Sequence, residues 1–190
     1  MLLMLTWRRG SAALSEKTKR DDVPLLSLLN SLERRPAELR VPGTAVFLTA
    51  HPETAPTALL HNLKHNKVVH ERNVILSILT ADVPYVAPAQ RVSLTLLSDT
   101  FSQLTLRFGY MESPNVMKAL PLCRDRGCKF DVMQTSFFLS RRLLKPSDDS
   151  QLPIWQDRFF VGLSGIADDA ARYFGLPTDR VVEVGTQVAV

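Results

Sequence analysis

The side chains with chemistry to offer gather between residues 49 and 71. Thr49 and His51 follow a short apolar run, Ala45 to Leu48, and Thr57 comes directly after Pro56 at the start of a helical pattern. In open α/β sheets, ligands settle beyond the carboxyl ends of the strands, and a helix amino terminus favours an anion. Thr49, His51 and Thr57 are therefore the expected ligand contacts. No glycine-rich loop supports a phosphate there, because Gly43 stands alone and precedes the strand. The competing expectation is a loop in which His51 hydrogen-bonds only to backbone.

His61 and His65 are four apart, so they share a helix face, with His70 and Glu71 close behind. Two histidines at that spacing can ligate a metal, but the zinc-protease pattern needs a Glu beside the first, and Asn62 stands there. With no third ligand in sight, a polar helix end is expected and no metal. Cys123 and Cys128 have no second pair to complete a zinc site, so two thiols in a reducing compartment are expected. Asp168 and Asp169 are neighbours on a helix and cannot face one another, which removes them as a catalytic pair. No nucleophile elbow or Cys–His signature occurs, and the basic residues are not interleaved with aromatics. The chain is expected to be neither an enzyme nor a nucleic-acid binder, and to need no cofactor.

These residues must be positioned by a scaffold. Pro42-Gly43 and His51-Pro52 bound the run Ala45–Leu48, which reads as a strand buried on both faces. Leu59, Leu60 and Leu63 follow on a helix opened by Pro56, and Val74 to Leu79 supplies a second apolar run. Strand, helix and strand make a βαβ unit. Arg91–Leu97 and Leu104–Phe108 alternate around the turn Ser98-Asp99-Thr100, which predicts an antiparallel hairpin. Ser113-Pro114 fits a helix start, and Pro121 predicts a kink or restart soon after. Thr135–Leu139 reads as a strand with Phe137 and Phe138 on opposite faces, and Arg141–Asp149 as a charged loop. Trp155, Phe159, Leu163, Ile166, Ala170 and Phe174 form one helical stripe from about 153 to 174. Gly175 suits the left-handed position after that helix, and alternation from Val182 to Val190 predicts a closing strand. The expected fold is α/β: a mixed β-sheet with a βαβ unit, an antiparallel hairpin and covering helices.

The chain has 190 residues, 45% apolar and 22% charged, an ordinary globular balance. Its net charge of +4 owes much to Arg8, Arg9, Lys17, Lys19 and Arg20. No stretch approaches the roughly 20 apolar residues of a spanning helix. The first seven residues are apolar and end in Trp7, with Arg8-Arg9 after them. That order suits the cytoplasmic end of a membrane helix, with an apolar or amphipathic stub as the alternative. The expected organisation is residues 1–10 as that helix end or stub, 11–40 as a linker, and 41–190 as an α/β domain. The linker carries a short amphipathic helix with Leu25, Leu28, Leu29 and Leu32 on one face.

The block Arg-Val-Pro-Gly-Thr-Ala-Val-Phe-Leu-Thr at 40–49, then Leu59 to Arg72, closely resembles the KUP (HAK/KT) family of potassium uptake transporters, in its carboxyl-terminal cytoplasmic domain. Arg107-Phe108-Gly109-Tyr110-Met111-Glu112, Thr135 to Arg141, and Arg180 to Val188 match in family order. The resemblance covers residues 6 to 190. The family's body of about twelve membrane helices has no counterpart here, so no potassium-binding residue carries over. The resemblance implies a regulatory or assembly domain of a proton-coupled potassium transporter, at the cytoplasmic face of the cell membrane. It implies the transmembrane core as partner, a homodimer, and an adenine nucleotide such as cyclic di-AMP as ligand. The stub at 1–10 would supply membrane contact. The chain would not conduct ions alone.

Overall fold

Residues 23–33, 40–126, 130–145 and 170–189 are described by the computed structural model, with positions 4, 7, 8, 11, 156 and 162 besides. Two compact units divide the chain. One holds residues 1–22, 141–168 and 185–190, and the other residues 23–140 and 169–184. The cores described below belong to the second.

β1 (Arg40–Leu48) and β2 (Val69–Ala81) are parallel, joined by α2 (Thr57–His61) and a π-turn (Asn62–Asn66). The β1 register places Val46 beside Val74 and Leu48 beside Leu76. Ala45, Val46 and Phe47 are wholly buried, as an unbroken apolar run between two covered faces requires. Pro42-Gly43 does not end the strand as the sequence suggested. The register shifts between Val41 and Thr44, and Gly43 adopts φ 103° at that bulge, a conformation glycine accepts without strain.

β3 (Val92–Leu96) pairs antiparallel with β4 (Phe101–Gly109), which runs parallel to β2. β5 (Thr135–Lys145) is parallel to β1 on its other side, and β6 (Val181–Ala189) completes the order β3-β4-β2-β1-β5-β6. The mixed α/β sheet, its βαβ unit and its hairpin are all present. Residues 141–145 continue β5, so the charged segment expected to be a loop from Arg141 begins as strand.

Alternation along the strands sorts side chains into two cores. Val46, Leu76, Leu104 and Phe137 lie on one face, covered by α4 (Val116–Ala119) and the 3-10 turn Leu120–Arg126. Phe47, Ile75, Phe101 and Phe138 lie on the other, covered by α1 (Leu25–Glu33) and α2. Phe137 and Phe138 point to opposite faces as expected, and Phe138 stacks on Phe47 with ring centroids 4.9 Å apart. Leu25 and Leu29 are the buried side of α1, with Leu28 and Leu32 half-buried against the same core. Pro121 turns the α4 helix into 3-10 geometry, consistent with the hydrogen bond that proline removes. The cap of α4 is Asn115, whose Oδ1 accepts from Lys118 N at 2.9 Å, and not Ser113.

Ala170–Tyr173 is helical (α5), and it ends as glycine at 175 predicts. Gly175 has φ 62°, its N–H donates to Arg172 O, and Leu176 N–H donates to Ala171 O. Those two bonds are the Schellman closure. Of the rest of the expected 153–174 helix, only Gln156, Gly162 and Phe174 are among the described residues, and of the stub's apolar positions only Met4 and Trp7.

Candidate functional site

The topology creates a crevice at one place. The β1–β2 connection carries α2 over the Phe47 face, while the β4–β5 connection carries α4 over the opposite face. The two connections therefore diverge at β1, between β2 and β5, which is a topological switch point. Beyond the carboxyl ends of these strands lies a cavity of about 200 Å³. Leu48, Leu76, Ile78, Leu139 and Phe174 give it an apolar lining, with Thr49 and Ser140 supplying hydroxyls. Among the described residues, no charged side chain lines it.

Of the three expected contacts, Thr49 lines this cavity and His51 and Thr57 do not. The Thr49 hydroxyl accepts from His51 N at 3.1 Å, an ST-turn that closes the end of β1. His51 is exposed, and Thr57 is the half-buried first residue of α2. Pro56 is the cap of α2 and makes no side-chain capping bond.

His61 and His65 do share a face, with rings 5.6 Å apart. Among the described residues no group of three metal-ligating side chains comes together. Asn62, which displaces the Glu of a zinc motif, is buried and closes the π-turn. Its Nδ2 donates to Val68 O at 3.1 Å, and its Oδ1 accepts from Asn66 Nδ2 at 2.7 Å. Lys67, with φ 57°, then reverses the chain into β2. His70 packs edge-on against Phe138 at 5.8 Å, and burial pushes its imidazole below the ordinary value. Among the described residues, His70 Nδ1 and Asn73 Oδ1 are buried without a hydrogen-bond partner.

A second constellation went unread as chemistry in the sequence. The Glu112 carboxylate accepts from Gly109 N at 2.6 Å, Val86 N at 3.2 Å and the Arg91 guanidinium. Arg91 also donates to Val86 O at 2.8 Å and lies 5.1 Å over the Phe108 ring. The Gly109 N–H foremost, then Arg91, holds the Glu112 carboxyl below its ordinary range. Tyr110 N to Val83 O and Met111 N to Pro84 O stitch the loops after β4 and β2 together. A Cβ on Gly109 would fall 2.1 Å from Pro84 O, so the approach requires glycine. The signal in the sequence was the block Arg107–Glu112 itself, whose Glu is the partner of a distant Arg.

The comparisons agree with this reading of the blocks. A model of the family described as the K+ potassium transporter C-terminal domain matches residues 42–190. A "Probable potassium transport system protein Kup" of Nitrobacter hamburgensis is 59% identical over the whole chain, which covers 28% of that relative. "Probable potassium transport system protein Kup 2" of Rhodopseudomonas palustris is 61% identical over 99% of the chain and 30% of its own length. The Nitrobacter winogradskyi protein of the first name is 60% identical over 100% of the chain and 29% of its own length. The chain thus spans under a third of the curated relatives it matches. No solved structure matches it. A match from Pro42 onward that includes every strand core described above, with whole-chain identity near 60%, places this chain in the K+ potassium transporter C-terminal domain family.

Proposed function

We propose that this chain is the cytoplasmic carboxyl-terminal domain of a proton-coupled potassium uptake transporter, regulating or assembling the transmembrane core without conducting ions. The observation that carries the reading is identity of about 60% along the whole chain to proteins named for potassium transport. No described helix is long and apolar enough to cross a membrane. A helical ion path needs spans of about 20 apolar residues. The order Trp7-Arg8-Arg9 suits the inner membrane face, which supports the cytoplasmic placement.

Rubidium uptake in a potassium-uptake-deficient bacterium tests it. The chain alone restores no uptake. Co-expressed with a relative's transporter body cut before this domain, it raises uptake or the amount of that body in the membrane. Flux through vesicles holding only this chain overturns the non-conducting claim, and no effect on the truncated body overturns the regulatory one.

The switch-point cavity favours a second reading, a sensor for an adenine nucleotide. Its apolar lining suits a base, and Thr49 is the proposed polar contact on it, with His51 and Thr57 standing outside the lining. Calorimetry with cyclic di-AMP and with ATP tests it; no heat with millimolar ligand removes it.

A further inference from the structure

Two hydroxyl side chains reach the switch-point cavity, and they are not equivalent. Two residues beyond the Phe47–Phe138 pair of β1 and β5, Thr49 and Ser140 stand at neighbouring strand ends. The Thr49 hydroxyl donates to His51 O at 3.2 Å and accepts from His51 N at 3.1 Å. Its one proton is thereby engaged, and a single lone pair is left. Ser140 is half-buried and makes no side-chain hydrogen bond among the described residues. Its O–H is the donor that the described lining offers a ligand.

The walls around these hydroxyls are hydrocarbon. Leu48, Leu76, Ile78, Leu139 and Phe174 surround a volume of about 200 Å³. A cavity of about 150 Å³ lined by Leu, Ile and Phe takes up benzene, so the size fits one ring. The Phe174 wall is preformed. Its N–H donates to Ala170 O at 3.0 Å, its carbonyl accepts from Val116 N at 2.9 Å, and its ring packs edge-on against Tyr173 at 5.1 Å. An ionised group entering this space finds no counter-charge among the described lining residues, and burying it unpaired is strongly unfavourable.

We propose that the cavity binds an uncharged flat ring carrying a hydrogen-bonding group, and that Ser140 is the residue that selects it. The ring packs against Phe174 and the three leucines, and its polar group pairs with the Ser140 hydroxyl. Apolar contact supplies the attraction. Ser140 supplies the discrimination, because a polar group buried beside it without that bond loses its water and gains nothing. Charged parts of a larger ligand stay outside the mouth. A free phenol-type ring and the base of a nucleotide share this chemistry, and the experiment separates them. The inference rests on the reading of the cavity as a ligand site and names the part of a ligand that enters it.

Methyl NMR spectra of the full chain test it, in titrations with phenol, toluene, benzoate, adenosine and ATP. Phenol is expected to shift the Ile78 and Leu139 methyl signals saturably. Benzoate, the same ring with a charge, is expected to leave them unmoved. Ser140→Ala is expected to weaken phenol about fivefold and to leave toluene, which has no group to pair, unchanged. Ala170→Phe, at an exposed position of α5 on the cavity wall, fills the space and is expected to abolish both. Phenol that moves neither methyl at millimolar concentration overturns the proposal. So does benzoate that binds as well as phenol, or a Ser140→Ala chain that loses toluene along with phenol. Adenosine acting on the same methyls makes a base the ring. ATP binding without phenol overturns the uncharged-ring class and leaves the nucleotide reading standing, whereas phenol binding without adenosine or ATP overturns the nucleotide reading alone.

Discussion

At the scale of single residues, Glu112 and His70 make this domain acid-sensitive in two separate ranges. Burial lowers the His70 pKa in the fold, so protonation favours the unfolded chain, and stability declines as pH falls below about 6.5. The Glu112 carboxyl is also depressed, by Gly109 N–H and Arg91. Its contribution is complete above the ordinary carboxyl value of about 4.3 and is lost as pH falls through the lower folded value. Denaturant melts between pH 8 and 3 should show both declines. His70→Gln removes the upper one, and Glu112→Gln removes the lower one while lowering stability at neutral pH. An unchanged pH profile in both variants contradicts the assignment. His70 was visible in the sequence only as a member of a histidine cluster. Its pairing with Phe138, on a strand more than sixty residues away, is what buries it.

At the scale of elements, the loops after β2 and β4 behave as one piece because Gly109 lets their backbones meet. Gly109→Ala puts a methyl 2.1 Å from Pro84 O and 2.6 Å from Tyr85 N, where no flexible side chain can yield. The expected cost is about 2–4 kcal/mol, read as a fall in denaturation midpoint. The β2–Arg91–Glu112 connection would loosen with it, which hydrogen exchange at Gly109 and Val86 amides would register as lost protection. The hairpin, the βαβ unit and the Gly175 closure were legible, because each is local and carries its own turn chemistry or period. The extra length of β1, β2 and β5 was not. Arg40–Thr44 and Arg141–Lys145 have no apolar alternation, and β1 owes its strand geometry there to its neighbours in the sheet.

At the scale of the whole molecule, the family match begins at residue 42, yet α1 lies before it and puts Leu25 and Leu29 into the core over Phe47 and Ile75. A chain beginning at Val23 should therefore melt close to the full chain. One beginning at Arg40 exposes Ala58, Leu59 and Phe47 to water. It should lose about 3–6 kcal/mol, from two buried leucines at about 1.5–3 kcal/mol each. Equal midpoints for the two truncations would show α1 to be dispensable.

The sequence alone determined the elements whose signals are local, the absence of a complete metal motif, and the family, because blocks such as Arg107–Glu112 and Arg180–Val188 are long and specific. It also brought Thr49 to the end of β1. Tertiary structure decided which side chains meet. The cavity at Thr49 depends on Leu139 and Phe174, which arrive from separate elements, and His51 and Thr57 do not join it. Sheet order also decided that β3 is the outermost of the described strands on its side, and it brought Arg91 to Glu112. Spacing along a chain encodes periodicity and turns; the pairing of strands far apart in sequence is settled only when the cores on both sheet faces are packed together.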